Sequence, residues 1–124
     1  MKPIYVFRAE DNHGKGAFSV TSFDTSHYTF LNGKETHPLP EEEGLTICKS
    51  LVCGVMTIKL FHHWFSNKAK IHLAIYGVKA AVYSANEYYI GETQCLFHHH
   101  KATLIKRVDI EKVNTLKEYE LLNN

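Results

Sequence analysis

The stretch from Gly54 to Phe97 sets the narrowest limits on what this chain can fold into. Its first part places Ile58, Phe61 and Phe65 at helical spacing with Trp64 beside them. Four large apolar groups on one face make a helix that has to bury itself. The later parts, Tyr76 to Tyr83 and Tyr88 to Phe97, are short, rich in Val, Tyr and Ile, and broken by Gly77 and Gly91. That is strand chemistry. One helix laid on a pair of strands accounts for the core.

The flanking sequence supplies more sheet and polar loops. Pro3 to Phe7 is a short apolar run, predicted as a first strand ending at Arg8. Glu10 to Gly16 is a polar turn with two glycines. Phe18 to Phe23 and Tyr28 to Leu31 are small strands or ordered loop, and Asn32-Gly33 is a tight-turn signal. The loop from Lys34 to Gly44 is stiffened by Pro38 and Pro40 and carries an acidic run, Glu41 to Glu43. Leu45 to Val52 reads as a strand interrupted at Lys49-Ser50. Thr57 suits a helix N-cap, and Ser66-Asn67 suits that helix's end. Ile71 to Tyr76 is a second short helix closed by Gly77. Strands follow at Val78 to Tyr83, Tyr88 to Ile90, Gln94 to His98 and Thr103 to Val108. Asp109 can cap a final helix with Ile110, Val113 and Leu116 on one face. The expectation is a single α+β domain over residues 1–124. Its sheet is mainly antiparallel, packed by one central helix plus a C-terminal helix.

Composition narrows the function classes. Fourteen Lys plus Arg against thirteen Asp plus Glu leave a net charge of +1. Non-specific nucleic-acid binding wants a strongly basic face, so that class is not indicated. No apolar run reaches the length of a membrane span, and Met1-Lys2-Pro3 leads straight into a strand without a signal-peptide layout, so the expected location is cytosolic. Cys48, Cys53 and Cys95 are expected as reduced thiols, and without a Cys-x-x-Cys pair no zinc ribbon is expected.

Nine histidines invite a metal reading. On a strand, however, only His98 and His100 of the triplet His98-His99-His100 share a face, two ligands where zinc wants at least three. His62, His63 or His72 could add a third, but no Cys or carboxylate sits at ligand spacing. The triplet is read as an exposed strand end and no metal is expected. Gly14-Lys15-Gly16 lacks the earlier Gly and the following Ser or Thr of a phosphate loop. Cys53 lies near a helix start but has no visible His partner for nucleophilic chemistry.

Arg8 ends the first strand directly before Ala9-Glu10-Asp11. It is a bidentate partner for phosphate or carboxylate, or an internal salt bridge to Glu10 or Asp11. Gln94 is a polar side chain in an apolar strand, and alternation puts Glu92 on its face. The two are expected to meet at a cleft.

The order Arg8-x-Glu10-Asp11, Gly14-x-Gly16-x-Phe18, His37-Pro38-x-Pro40, Cys53-Gly54, Trp64-Phe65, Tyr76-Gly77, Val82-Tyr83, Gly91-x-x-Gln94-x-x-Phe97 resembles a family of small proteins encoded by tailed bacteriophages. That resemblance implies a phage setting and work in the host cytoplasm. The implied role is an accessory protein that inhibits or sequesters a host protein, such as a defence-system component, or a nucleotide signal. Arg8, Glu10, His37, Tyr83, Glu92 and Gln94 are the candidate ligand-binding positions. No catalytic residue is assigned, no cofactor is expected, and an oligomer is compatible with the sequence. A more distant likeness to the compact ADP-ribosyltransferase fold implies an alternative, an NAD-dependent transferase. There Arg8 would hold NAD, Thr57 would sit near the second motif, and Glu92 and Gln94 would lie on the catalytic strand. Gln94 stands where such enzymes carry a glutamate, and it lacks the charge to stabilise an oxocarbenium ion. A small virion assembly protein is the third reading.

Overall fold

The structure, a computed structural model, describes residues 2–17, 43–46 and 50–123. Expectations for residues 18–42, including the Asn32-Gly33 turn and His37, and for Cys48 lie outside the described residues. The elements are β1 (Ile4–Glu10), β2 (Leu51–Gly54), α1 (Ile58–Trp64), α2 (Asn67–Ile75), β3 (Lys79–Ala85), β4 (Tyr88–Ile90), β5 (Cys95–His98) and β6 (Thr103–Asp109). A 3-10 turn at His99–Lys101 joins β5 to β6, a 3-10 segment at Ile110–Leu116 follows β6, and α3 (Lys117–Leu121) closes the set.

The strands form two antiparallel sheets in the orders β1-β3-β6 and β2-β5-β4. Alternation along β1 divides the core in two. Phe7 and Ala9 join Ala80 and Val82 in packing against Phe61, Trp64, Leu73, Val113 and Leu116 of the helical layer. Ile4 and Val6 join Ala81 and Tyr83 in packing against Cys95 and Phe97 of the second sheet. The first sheet is therefore the middle of three layers, which is why β3 reads as a nearly unbroken small-apolar run. The two sheets are stitched by Phe7 and Val55, which exchange backbone hydrogen bonds of 2.7 and 2.8 Å. Gly54 occupies the closest approach: a Cβ there would stand 2.2 Å from Val6 Cγ1.

Thr57 caps α1 as expected, its hydroxyl accepting from the Leu60 amide at 3.0 Å. Ser66 does something else. It opens α2 by accepting from the Ala69 amide at 3.1 Å, because a serine oxygen pairs with free first-turn amides and not with a helix's last carbonyls. The second helix thus begins at Asn67, four residues before the expected Ile71, and ends before Gly77 at φ 79°. Lys70 on α2 is buried, and desolvation pushes its ammonium below the usual lysine range.

Three further differences share a cause, long-range partners. β1 runs two residues past Arg8 because β3 pairs with it up to Glu10. Of the strand expected from Leu45 to Val52, Leu45, Thr46 and Ser50 lie outside any strand, and Leu51 and Val52 begin β2, which follows β5 to Gly54. Asp109 caps no helix; its carboxylate takes Lys79 Nζ across the β3–β6 pair at 2.9 Å. Ile110, Val113 and Leu116 are buried together, as their spacing suggests, but on a 3-10 segment. Glu120 of α3 accepts the Ile58 amide at the start of α1, and Asn123 brackets Tyr5, accepting from its amide at 2.7 Å and donating to its carbonyl at 3.0 Å. No helix among the described residues is long and apolar enough to cross a membrane.

Candidate functional site

The face of the first sheet that meets the second sheet is apolar at one end and charged at the other. Ile4 and Val6 are followed at the same alternation by Arg8 and Glu10. Across the sheet, Arg8 stands opposite Ala81, and Ala81 stands opposite Arg107. The small Ala81 leaves room above it for two guanidiniums to converge. Both reach Glu10, whose side chain is fully buried. Arg8 Nε donates to Oε1 at 2.9 Å, while Arg107 Nε donates to Oε2 at 2.9 Å and its Nη2 lies 2.8 Å from the same oxygen. The Tyr83 hydroxyl donates to Oε2 at 2.5 Å, and His99 Nε2 lies 2.9 Å from that hydroxyl and 3.6 Å from Oε1.

The loop over residues 11–16 closes the cluster. Asp11 Oδ1 accepts the amides of His13 and Lys15, at 2.8 and 2.9 Å, and curls the loop. The loop's carbonyls then face the arginines: Arg107 Nη1 donates to Asn12 O at 3.1 Å and Arg8 Nη2 to Gly14 O at 3.4 Å. Arg8 Nη1 donates to Cys53 O at 2.9 Å. Gly14 has φ 83°, and a Cβ on it would sit 2.7 Å from His99 Cε1. On Gly16 it would sit 2.9 Å from Arg8 Nη2. The two glycines are needed because backbone lies directly on the arginine and the histidine.

The electrostatics follow from two guanidiniums around one carboxylate. Burial and the Glu10 carboxylate push the Tyr83 phenol up to about 12. Burial and the Arg8 charge hold His99 below the usual imidazole range, against the pull of Glu10, so it is neutral at pH 7. Burial works against the Arg107 charge, but its bonds to Glu10 outweigh that and raise its pKa.

A second carboxylate organises a different place. Glu43 accepts from the Thr93 amide at 2.9 Å, the Thr93 hydroxyl at 2.5 Å and Gln94 Nε2 at 3.3 Å. Burial alone would raise its pKa, yet these bonds lower it. Gly91 lies under it: a Cβ there would stand 2.5 Å from Glu43 Oε1.

The structure therefore joins Arg8, Glu10 and Tyr83. It sets Gln94 on Glu43, in the turn before β5 and not within a strand, with Glu92 exposed on the same turn. Arg8 hydrogen-bonds to Glu10, Cys53 and Gly14 while Gln94 hydrogen-bonds to Glu43, so the direct polar partners of the two are different carboxylates. His99 and Arg107 were not foreseen. β5 ends at His98 and the chain turns 3-10 there, which points His99 inward; the triplet is no uniformly exposed strand end. Among the described residues no cluster of three or more His, Cys, Asp or Glu could hold a metal ion. Cys53 lies on β2, four residues before the cap of α1, and Cys95 is buried, its thiol pushed up to about 12 by desolvation and by Cys53.

Fold and cluster together define a small three-layer α+β domain with a buried carboxylate clamped by two arginines. A family model described as Bacteriophage T4 Y00F protein matches residues 1–111, and the chain belongs to that family. No curated protein and no solved structure matches it. The likeness to ADP-ribosyltransferases finds no support in these comparisons.

Proposed function

We propose that this phage protein is an accessory factor that inhibits or sequesters a host component by binding it. The Arg8–Arg107 end of the domain receives an anionic group, either of a host protein or of a nucleotide signal. The observation that carries this reading is the charge count at Glu10: two guanidiniums meet one carboxylate, at an edge where the Arg107 side chain is 21% and the His99 side chain 24% exposed. Each guanidinium has five N–H donors, and Glu10 with the loop carbonyls takes only some of them. Lys15 is exposed on the covering loop and adds to the positive rim. Proton-transfer chemistry is less well served. Tyr83 holds its proton to about 12, and the His99 nitrogen nearest the cluster is engaged with the Tyr83 hydroxyl.

The test is affinity capture of the tagged protein from infected cells, followed by mass spectrometry, with nucleotide titration by calorimetry alongside. A host protein, or a nucleotide heat, seen with the native chain and lost in a folded Arg107→Gln variant supports the reading. Retention of neither class overturns it.

A further inference from the structure

We propose that the open edge of β6 takes up an extended segment of a host protein as a further strand of the first sheet, and that this segment carries two adjacent acidic residues between apolar ones. The inference rests on the anion-binding reading of Arg107 and narrows its partner to a protein main chain.

The two edges of the first sheet are built differently. Along β1 the edge is occupied: Phe7 exchanges backbone hydrogen bonds with Val55, Asn123 brackets Tyr5, and Glu10 bridges to Gly16. β6 forms the other edge over the seven residues Thr103–Asp109, and among the described residues no backbone hydrogen bond reaches its outer side. Thr103 to Lys106 are exposed, Leu104 by 39% and Ile105 by 40%, so this stretch lies open. An unpaired strand presents a row of N–H and C=O groups that a further strand can answer. A nucleotide has no main chain with which to do so.

The register of β6 specifies the visitor. Arg107 stands opposite Ala81 and Leu104 opposite Tyr83, so both lie on the face of the Glu10 cluster. Lys106 stands opposite Val82 and Val108 opposite Ala80, on the face of the helical layer. The partners step from Lys106 to Leu104, which makes Ile105 the extra residue of a bulge and leaves Lys106 to Asp109 as the regular run. In that run Lys106 and Arg107 are neighbours on opposite faces, while Asp109 is held by Lys79. Among the described residues no carboxylate meets Lys106, and Arg107 has N–H groups beyond those that Glu10 and Asn12 take. Opposed residues share a face, so two consecutive positions of an added strand meet Arg107 and Lys106, and carboxylates there answer both. Leu104, Ile105 and Val108 flank the pair and favour apolar neighbours. A lysine and a bulge guard an edge against indiscriminate pairing, and the same two features make this edge selective. A second copy of the chain fits less well, because it brings two Lys106 and two Arg107 side chains to one seam.

The experiment titrates the full chain by NMR with the end-capped peptide Thr-Val-Glu-Glu-Val-Thr. Its comparators are Thr-Val-Lys-Lys-Val-Thr and the first peptide with both glutamate nitrogens methylated, which removes a ladder donor on either edge. The amides of Thr103 to Asp109 should shift, with Overhauser contacts between β6 and the peptide backbone. Each comparator should bind about tenfold more weakly, one for its charge and the other for its lost hydrogen bonds. Lys106→Glu changes an exposed side chain and should weaken the acidic peptide about threefold, with core amides unshifted to verify folding. Absence of β6 shifts with the acidic peptide at millimolar concentration overturns the proposal. So does unchanged affinity in folded Lys106→Glu. Equal binding of the methylated peptide also overturns it; if Arg107→Gln then abolishes both, the anion-binding reading stands and the added strand does not. Sedimentation of the free chain as a dimer that Ile105→Lys returns to monomer assigns the edge to a second copy and overturns it as well. Failure of the anion-binding reading itself shows elsewhere, as host capture that survives Arg107→Gln.

Discussion

Glu10 and Glu43 do the same mechanical job by opposite means. Each is a carboxylate that helps fasten an irregular segment to a sheet, Glu10 through the arginines that bond the carbonyls of the loop 11–16 and Glu43 directly from the segment 43–46. Glu10 is met by two guanidiniums and a phenol in a fully buried position, whereas Glu43 is met by neutral donors, an amide, a hydroxyl and a carboxamide. Neutral dipoles can be lost one at a time at modest cost. Buried charges cannot, because removing one partner leaves the others uncompensated in a poor solvent for charge.

The largest expected effect tests that contrast directly. Glu10→Ala leaves two guanidiniums facing each other over Ala81 without their carboxylate, and should destabilise the fold by about 3–5 kcal/mol in urea unfolding. Glu43→Gln keeps the shape and replaces a charge-assisted acceptor by a neutral one, and should cost about 1–2 kcal/mol by the same measurement. Equal losses in the two variants would break the comparison. Gly14→Ala should cost about 1–2 kcal/mol, from the positive φ and the crowding of His99, and should move the His99 ring signals in NMR spectra.

The smallest effect sharpens the comparison through pH. His99 has a folded-state pKa below its ordinary 6.5, so the unfolded chain takes up its proton first. Its share of stability is complete above about pH 6.5 and declines as pH falls toward the lower folded value. Glu43 is also lowered, from 4.5, so its share is complete above that value and is lost only as pH falls through the lower folded one. Acid unfolding monitored by circular dichroism should therefore lose the contribution of His99 before that of Glu43. His99→Gln should flatten the decline below pH 6.5, and Glu43→Gln the one below 4.5. A His99→Gln profile superimposable on the parent would remove His99 from the account.

What could be read from the sequence and what could not divides along contact distance. The α1 helix was legible because Ile58, Phe61, Trp64 and the Thr57 cap are local signals. Arg8 and Glu10 were legible as a pair because alternation alone puts them on one face. Arg107 was not, since its place beside Arg8 depends on the register of three strands and on Ala81 between them. Gln94 was noticed as a polar residue needing a partner, but its partner, Glu43, is 51 residues away in an acidic run that looks like solvated surface. Ser66 and Asp109 carry cap chemistry that fits more than one place; the neighbour that arrives in space decides which.

The bracket that Asn123 places on Tyr5 spans 118 positions of the chain. These two hydrogen bonds, and that of the Glu120 carboxylate on the first turn of α1, join segments far apart in sequence. Closing them costs the entropy of a long loop, whereas α1 is made from contacts local in sequence.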